Sequence, residues 1–212
     1  MKLRRKRAPI SGWMIVIGGQ CRKVGKTALV VELIRAVPKA RWIAVKITPY
    51  TESGCPVNGR GCSCGPKEHT FAIRVESKRS GSSDTSRFLN AGAKKAIWVQ
   101  TKEGRVADAL PLLAAALKEA GNVIVESNAI VKFWRPDVYL LVMDPRKTDF
   151  KASARAGRRI ADGFVFRSPP PASRTRRGYS NSKNGKPIFF QPLGLPLPSN
   201  LQSFVRQPSR DL

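Results

Sequence analysis

Apolar residues come in short, dense bursts along most of the chain. Trp13–Ile17, Trp42–Ile47, Ala96–Gln100, Asn122–Glu126, Asp137–Asp144 and Gly163–Arg167 are rich in β-branched residues and apolar at successive rather than alternate positions. Strands covered by helices on both faces of a parallel sheet read this way. Between the bursts, over Thr27–Val37, Asp84–Ala91, Val106–Ala120 and Lys151–Ala161, the apolar residues fall at helical spacing. Alternation of strand and helix over residues 13–167 predicts an α/β domain built on a doubly wound, mostly parallel sheet. Two segments depart from it. Residues 48–70 form a long Gly/Cys/Pro loop, and inserted loops of that length are functional or cross-linked. Residues 168–212 hold eight of the sixteen prolines, seven Lys or Arg and one acid, with no sustained period. They read as a disordered basic tail, and residues 1–12 as a basic arm.

Composition changes this picture mainly through charge. A hydrophobic fraction of 42% allows an ordinary core. No apolar run approaches the roughly 18–20 residues of a membrane span, and the basic N-terminus lacks the apolar segment of a signal peptide. Four cysteines are too few for a disulfide scaffold, so the expected setting is a reducing cytoplasm without membrane attachment. Against this ordinary background stand 39 Lys and Arg facing 14 Asp and Glu, a net charge of +25. Anionic partners are expected, nucleotides or nucleic acid among them.

The first burst runs into Gly18-Gly19-Gln20-Cys21-Arg22-Lys23-Val24-Gly25-Lys26-Thr27, and a helical stretch comes next. Strand, glycine loop, Gly-Lys-Thr and helix in that order are the context of a phosphate loop. Gly19, Arg22, Lys23, Val24, Gly25, Lys26, Thr27 and Ala28 are the candidate nucleotide-binding residues. Lys26 would reach the terminal phosphates, and Thr27 would place its hydroxyl on Mg²⁺. The spacing is unusual: Gln20 stands where the standard pattern has its first glycine, and five residues separate Gly19 from Gly25. Glu126 ends a strand on the side where open α/β sheets bind ligands, so it is a candidate Mg²⁺ carboxylate. Asp84 opens a helix and is read either as a helix cap or as a second Mg²⁺ carboxylate. Lys26, Asp84 and Glu126 are the candidate catalytic residues.

A glycine, five residues and Gly-Lys-Thr resembles the loop of dethiobiotin synthetase and its cobyrinate-synthase relatives. Ala44-Val45-Lys46-Ile47-Thr48, Asp84–Ala93 and Val123-Ile124-Val125-Glu126 are similar to segments of the molybdopterin-guanine dinucleotide biosynthesis protein B (MobB) family. The resemblance covers about residues 13–167. It implies a P-loop NTPase fold, Mg²⁺ with GTP or ATP (GTP favoured), a homodimer, and a role as accessory to molybdenum cofactor biosynthesis proteins. These families usually have glycine after the strand-end glutamate, where this chain has Ser127-Asn128-Ala129. Lys46 matches the dethiobiotin synthetase lysine that contacts substrate; the other reading is a surface lysine. Asn128 is a second candidate substrate contact.

Cys55, Cys62, Cys64 and the sole histidine, His69, fall within fifteen residues of the inserted loop. Three thiolates and one imidazole suit a structural tetrahedral Zn²⁺; a redox or iron–sulfur role and unligated thiols are the other readings. The basic ends, with Arg174, Arg176, Arg177, Lys183 and Lys186 beside Tyr179, Phe189 and Phe190, either bind nucleic acid or only solubilise the chain. Three functions remain: a weak GTP-favouring NTPase, an ATP-dependent ligase of the dethiobiotin type, and a nucleotide-gated nucleic-acid-binding module.

Overall fold

Every apolar burst becomes a strand, and four of the six strands are buried at every position in a sheet with helices on both faces. The computed structural model describes residues 5–50, 69–169 and 185–206. The described strands are β1 (Lys6–Arg7), β2 (Met14–Gly19), β3 (Ile43–Tyr50), β4 (Phe71–Val75), β5 (Lys95–Lys102), β6 (Val123–Glu126), β7 (Trp134–Arg135), β8 (Val138–Met143), β9 (Gly163–Phe166) and β10 (Ile188–Phe190). The helices are α1 (Lys26–Ala36), α2 (Asp84–Asn90), α3 (Val106–Leu117), α4 (Ala152–Ile160) and α5 (Ser199–Arg206).

Eight strands form one sheet in the order β10-β9-β8-β2-β6-β3-β5-β4, parallel throughout except for the antiparallel pair β4–β5. The strand period of two divides the core. Ile15 and Ile17 face one cluster with Leu29, Leu33, Ile34, Phe88 and Leu201; Met14 and Val16 face another with Val106, Leu113, Leu117 and Ala154. Thus α1, α2 and α5 lie on one side and α3 and α4 on the other, which is a doubly wound α/β sheet. The chain leaves β2 for β3 on one side of it and later supplies β8 on the other. The carboxyl end of β2 is therefore a topological switch point, where such sheets open a crevice.

The sequence expectation needs three corrections. First, the expected tail is partly folded. Residues 185–206 add β10 to the sheet edge and lay α5 against α1, burying Phe189, Leu197, Leu201 and Val205. Prolines at 187, 192, 196 and 198 mask the short strand and helix that they bracket. Second, the arm is docked from residue 6. β1 pairs with β7, Ala8 is buried, and the Ser11 and Gly12 amides donate to the Ala120 and Gly121 carbonyls. Third, β3 continues through Thr48, Pro49 and Tyr50 into the expected loop, paired with Gln100–Lys102. β4, absent from the sequence expectation, returns along β5 as the edge strand. Its interleaved Arg74 and exposed Val75 give it no apolar burst.

Candidate functional site

The loop after β2 is shaped by close approach and by left-handed backbone. A methyl group on Gly18 would lie 2.5 Å from the Tyr139 hydroxyl, and one on Gly19 would lie 2.6 Å from the Lys26 side chain, so neither position accepts one. Lys23 (φ 55°) and Gly25 (φ 95°) are left-handed, with Val24 between them at negative φ. Alternation of this kind turns successive amides toward one concavity, a nest for an anion. Gly25 is the residue before α1, whose first-turn amides have no side-chain cap, and Lys26 and Thr27 open the helix. Lys26 folds back across the loop and donates from Nζ to the Cys21 carbonyl at 3.0 Å. Arg22 and Lys23 are exposed, whereas Val24 is buried as the loop's anchor and Ala28 is half-buried in the first turn of α1.

Three residues not singled out as loop supports hold it in place. Gln20 is buried; its Nε2 donates to the Lys147 and Asp149 carbonyls at 2.9 and 3.1 Å, and its Oε1 accepts from the Asp144 amide at 3.1 Å. Gln20 thus uses its side chain to staple the segment after β8, which is why a glycine is absent there. Asn128 accepts from the Gly19 amide at 2.7 Å and donates to the Gly19 carbonyl at 2.8 Å. Both ends of the Asn128 amide, expected as a substrate contact, are engaged by the loop backbone. Arg167, at the end of β9, is buried and donates to the Gly25 carbonyl at 2.8 Å, to Glu32 at 3.0 Å and to the Gln191 carbonyl at 3.0 Å. No spacing rule announces Arg167; an arginine closing an apolar strand is the only hint. Ser127, in place of the families' glycine, accepts from the Ala129 and Ile130 amides and turns the chain after β6.

Strand register assembles the polar cluster. Glu126 ends β6 and pairs laterally with Ile17 of β2 and with Lys46 of β3. Thr27 Oγ1 donates to Glu126 Oε2 at 2.8 Å. Lys46 Nζ donates to Glu126 Oε1 at 2.9 Å, to Thr27 Oγ1 at 3.3 Å and to Asp84 Oδ2. Of the two readings of Asp84, the helix cap belongs to its neighbour: Ser83 Oγ accepts from the Ser86 amide at 3.0 Å, leaving Asp84 to face Lys46 and Arg87. The surface-lysine reading of Lys46 also falls, since its side chain is 12% exposed. Burial pushes the Lys26 pKa down, opposed by Glu126 and reinforced by Lys46. The Cys21 thiol is pushed up by burial and by Asp149.

Part of what the sequence suggests falls outside the described residues. Cys55, Cys62 and Cys64 lie outside the described residues, as do Arg174, Arg176, Arg177 and Lys183; His69 is described, and its carbonyl accepts from the Tyr50 hydroxyl. Among the described residues no three His, Cys, Asp or Glu side chains gather into a metal cluster. Thr101-Lys102-Glu103-Gly104, the nearest sequence approach to a guanine signature, ends β5, which β6 and β3 separate from the phosphate-loop strand.

A mixed α/β core with a mostly parallel sheet and a glycine loop between the central strand and its helix fits a P-loop NTPase-like fold. LpxK from Aquifex aeolicus, in a crystal structure in complex with ATP, is similar to this chain with a TM-score of 0.50 and 17% identity. The match covers 89% of this chain and 56% of that one, so the chain spans a little over half the length of LpxK. No family model matches, and no curated protein matches. No described helix is long and apolar enough to cross a membrane.

Proposed function

We propose that the chain binds a nucleoside triphosphate with Mg²⁺ in the crevice beyond β2 and hydrolyses it slowly, acting as a MobB-like accessory in molybdenum cofactor biosynthesis. One observation carries the reading: the left-handed alternation at Lys23 and Gly25 turns the loop amides inward, directly before the uncapped start of α1 and beside Glu126. The net charge of +25 and the MobB-like segments support it. The donor set fits a hard cation. Thr27, Glu126 and Asp84 offer one hydroxyl and two carboxylates, the oxygen-only environment that Mg²⁺ takes alongside phosphates and water. Thr27 and the two carboxylates would hold Mg²⁺, which when bound neutralises charge on the β- and γ-phosphates.

The chain's own groups do the rest. The amides of residues 23–27 hold the phosphates in register, and the Lys26 ammonium leaves the Cys21 carbonyl to meet the terminal oxygens. Gln20, Asn128 and Arg167 keep the loop preorganised, so little is lost in ordering it on binding. The resemblance favours GTP. The ATP in the LpxK structure favours the second reading, an adenine nucleotide and dethiobiotin-like ligase chemistry, with Lys46 toward the acceptor. A structural Zn²⁺ on Cys55, Cys62, Cys64 and His69 is a separate proposal based on donor type. It would be withdrawn if purified protein held fewer than about 0.2 zinc per chain, given the affinity of such sites.

Equilibrium titration of GTP and ATP with Mg²⁺ into the parent and Lys26→Ala tests the main reading. The parent should bind at least one of them, and the variant should bind it at least ~10-fold more weakly, as expected for one charge-assisted contact. A parent chain that ignores both nucleotides would end it.

A further inference from the structure

Oxygens from three separate elements converge on one ammonium. Lys46 Nζ bonds Glu126 Oε1 at the end of β6, Thr27 Oγ1 in the first turn of α1, and Asp84 Oδ2 at the start of α2. The same three side chains are the Mg²⁺ donors of the nucleotide-binding reading, on which the role of Lys46 rests. The arrangement is fixed by the sheet, because Lys46 and Glu126 are lateral partners on adjacent parallel strands. Glu126 is only 3% exposed, and a carboxylate so buried needs a cation beside it. A Mg²⁺ bound to the same oxygens would stand about 2.1 Å from each. The lysine nitrogen, 2.9 Å from one and 3.3 Å from another, already fills that space.

We propose that Lys46 is the resident cation of the nucleotide-free site and excludes divalent metal until a triphosphate delivers it. Metal and ammonium cannot share the three oxygens: their volumes overlap and their charges repel. Entry of the metal therefore requires the lysine to leave, and the incoming phosphate oxygens give the displaced ammonium a new partner. Metal binding becomes conditional on nucleotide, and the carboxylates stay compensated in both states.

Mn²⁺ titrated into the nucleotide-free full chain, with free Mn²⁺ followed by electron paramagnetic resonance, tests this. Lys46→Gln should bind Mn²⁺ at least ~10-fold more tightly than the parent, because a charged competitor is gone. Lys46→Arg should remain as weak as the parent, and adding Asp84→Asn to Lys46→Gln should abolish the gain. If Lys46→Gln does not fold in metal-free buffer, Mn²⁺ should restore its thermal transition. Equal Mn²⁺ affinity in the parent and Lys46→Gln, a gain that survives Asp84→Asn, or an unfolded variant that Mn²⁺ does not restore would each overturn the proposal. Nucleotide titrations on the same samples separate the two claims. A Mn²⁺ gain in a chain that binds no nucleotide leaves the cation role standing and ends the nucleotide reading. Nucleotide binding without the gain ends only the role of Lys46.

Discussion

Gln20 is the residue at which the sequence departs furthest from a standard phosphate loop, and its side chain explains the departure. Replacing it by glycine would restore the standard spacing yet strand the Asp144 amide and the Lys147 and Asp149 carbonyls. Gln20→Gly should lower stability by about 1–3 kcal/mol, the net worth of three lost hydrogen bonds, as a shift of the urea midpoint. An unchanged midpoint would show the staple to be idle. Tyr139 presents the opposite case. Its hydroxyl packs against Gly18 without a hydrogen-bond partner among the described residues, and burial raises its pKa. Tyr139→Phe should leave stability within about 1 kcal/mol of the parent or raise it, because no bond is lost. A larger loss in the same urea titration would reveal a partner for the hydroxyl. At this scale the sequence was legible where chemistry is tied to a local motif: Gly25, Lys26 and Thr27 stand out from their order alone. Asn128 and Arg167 were not legible in these roles, because their partners, Gly19 and Gly25, are distant in the chain and meet them only through the sheet.

Among the elements, the connection from β4 to α2 positions Asp84, and one carboxylate organises it. Glu76 accepts from the Ser77 and Lys78 amides and from the Ser83 and Thr85 hydroxyls. The Lys78 amide and these hydroxyls hold its pKa down to about 2, against a usual value near 4.5. A depressed folded-state pKa contributes stability that is complete above the unfolded value and is lost as pH falls toward the folded one. The melting temperature of the parent should therefore fall between about pH 4.5 and pH 2 more steeply than that of Glu76→Gln. Parallel slopes would remove Glu76 as the organiser. The strands were readable because double burial leaves continuous apolar runs, as in β8, whose six residues are all buried. β4 and β10 were not. An edge strand is covered less completely, and its half-exposed residues break the run that identifies a strand.

Across the whole molecule, the described C-terminal residues complete the fold rather than trail from it. Leu201 is fully buried between α5 and α1 in the cluster that also backs the phosphate-loop helix. Leu201→Ala should cost about 2–5 kcal/mol, like other large-to-small core changes, read as a lower urea midpoint. A cost below about 1 kcal/mol would mean that α5 is only loosely docked. The doubly wound architecture was legible from alternation alone, and the end of the domain was not. Proline and charge averages over residues 168–212 conceal the four apolar side chains that matter, Phe189, Leu197, Leu201 and Val205.

The bond from Arg167 to Gly25, with Gln191 closing the other side of the guanidinium, gives biosynthesis an order. The glycine turn leaves the ribosome before the residues that brace it from behind. A nascent chain paused before β9 would carry a turn of the right sequence whose rear support, Arg167, is missing. Capacity for the anion should therefore arrive only after β9 has joined the sheet and carried Arg167 to the loop.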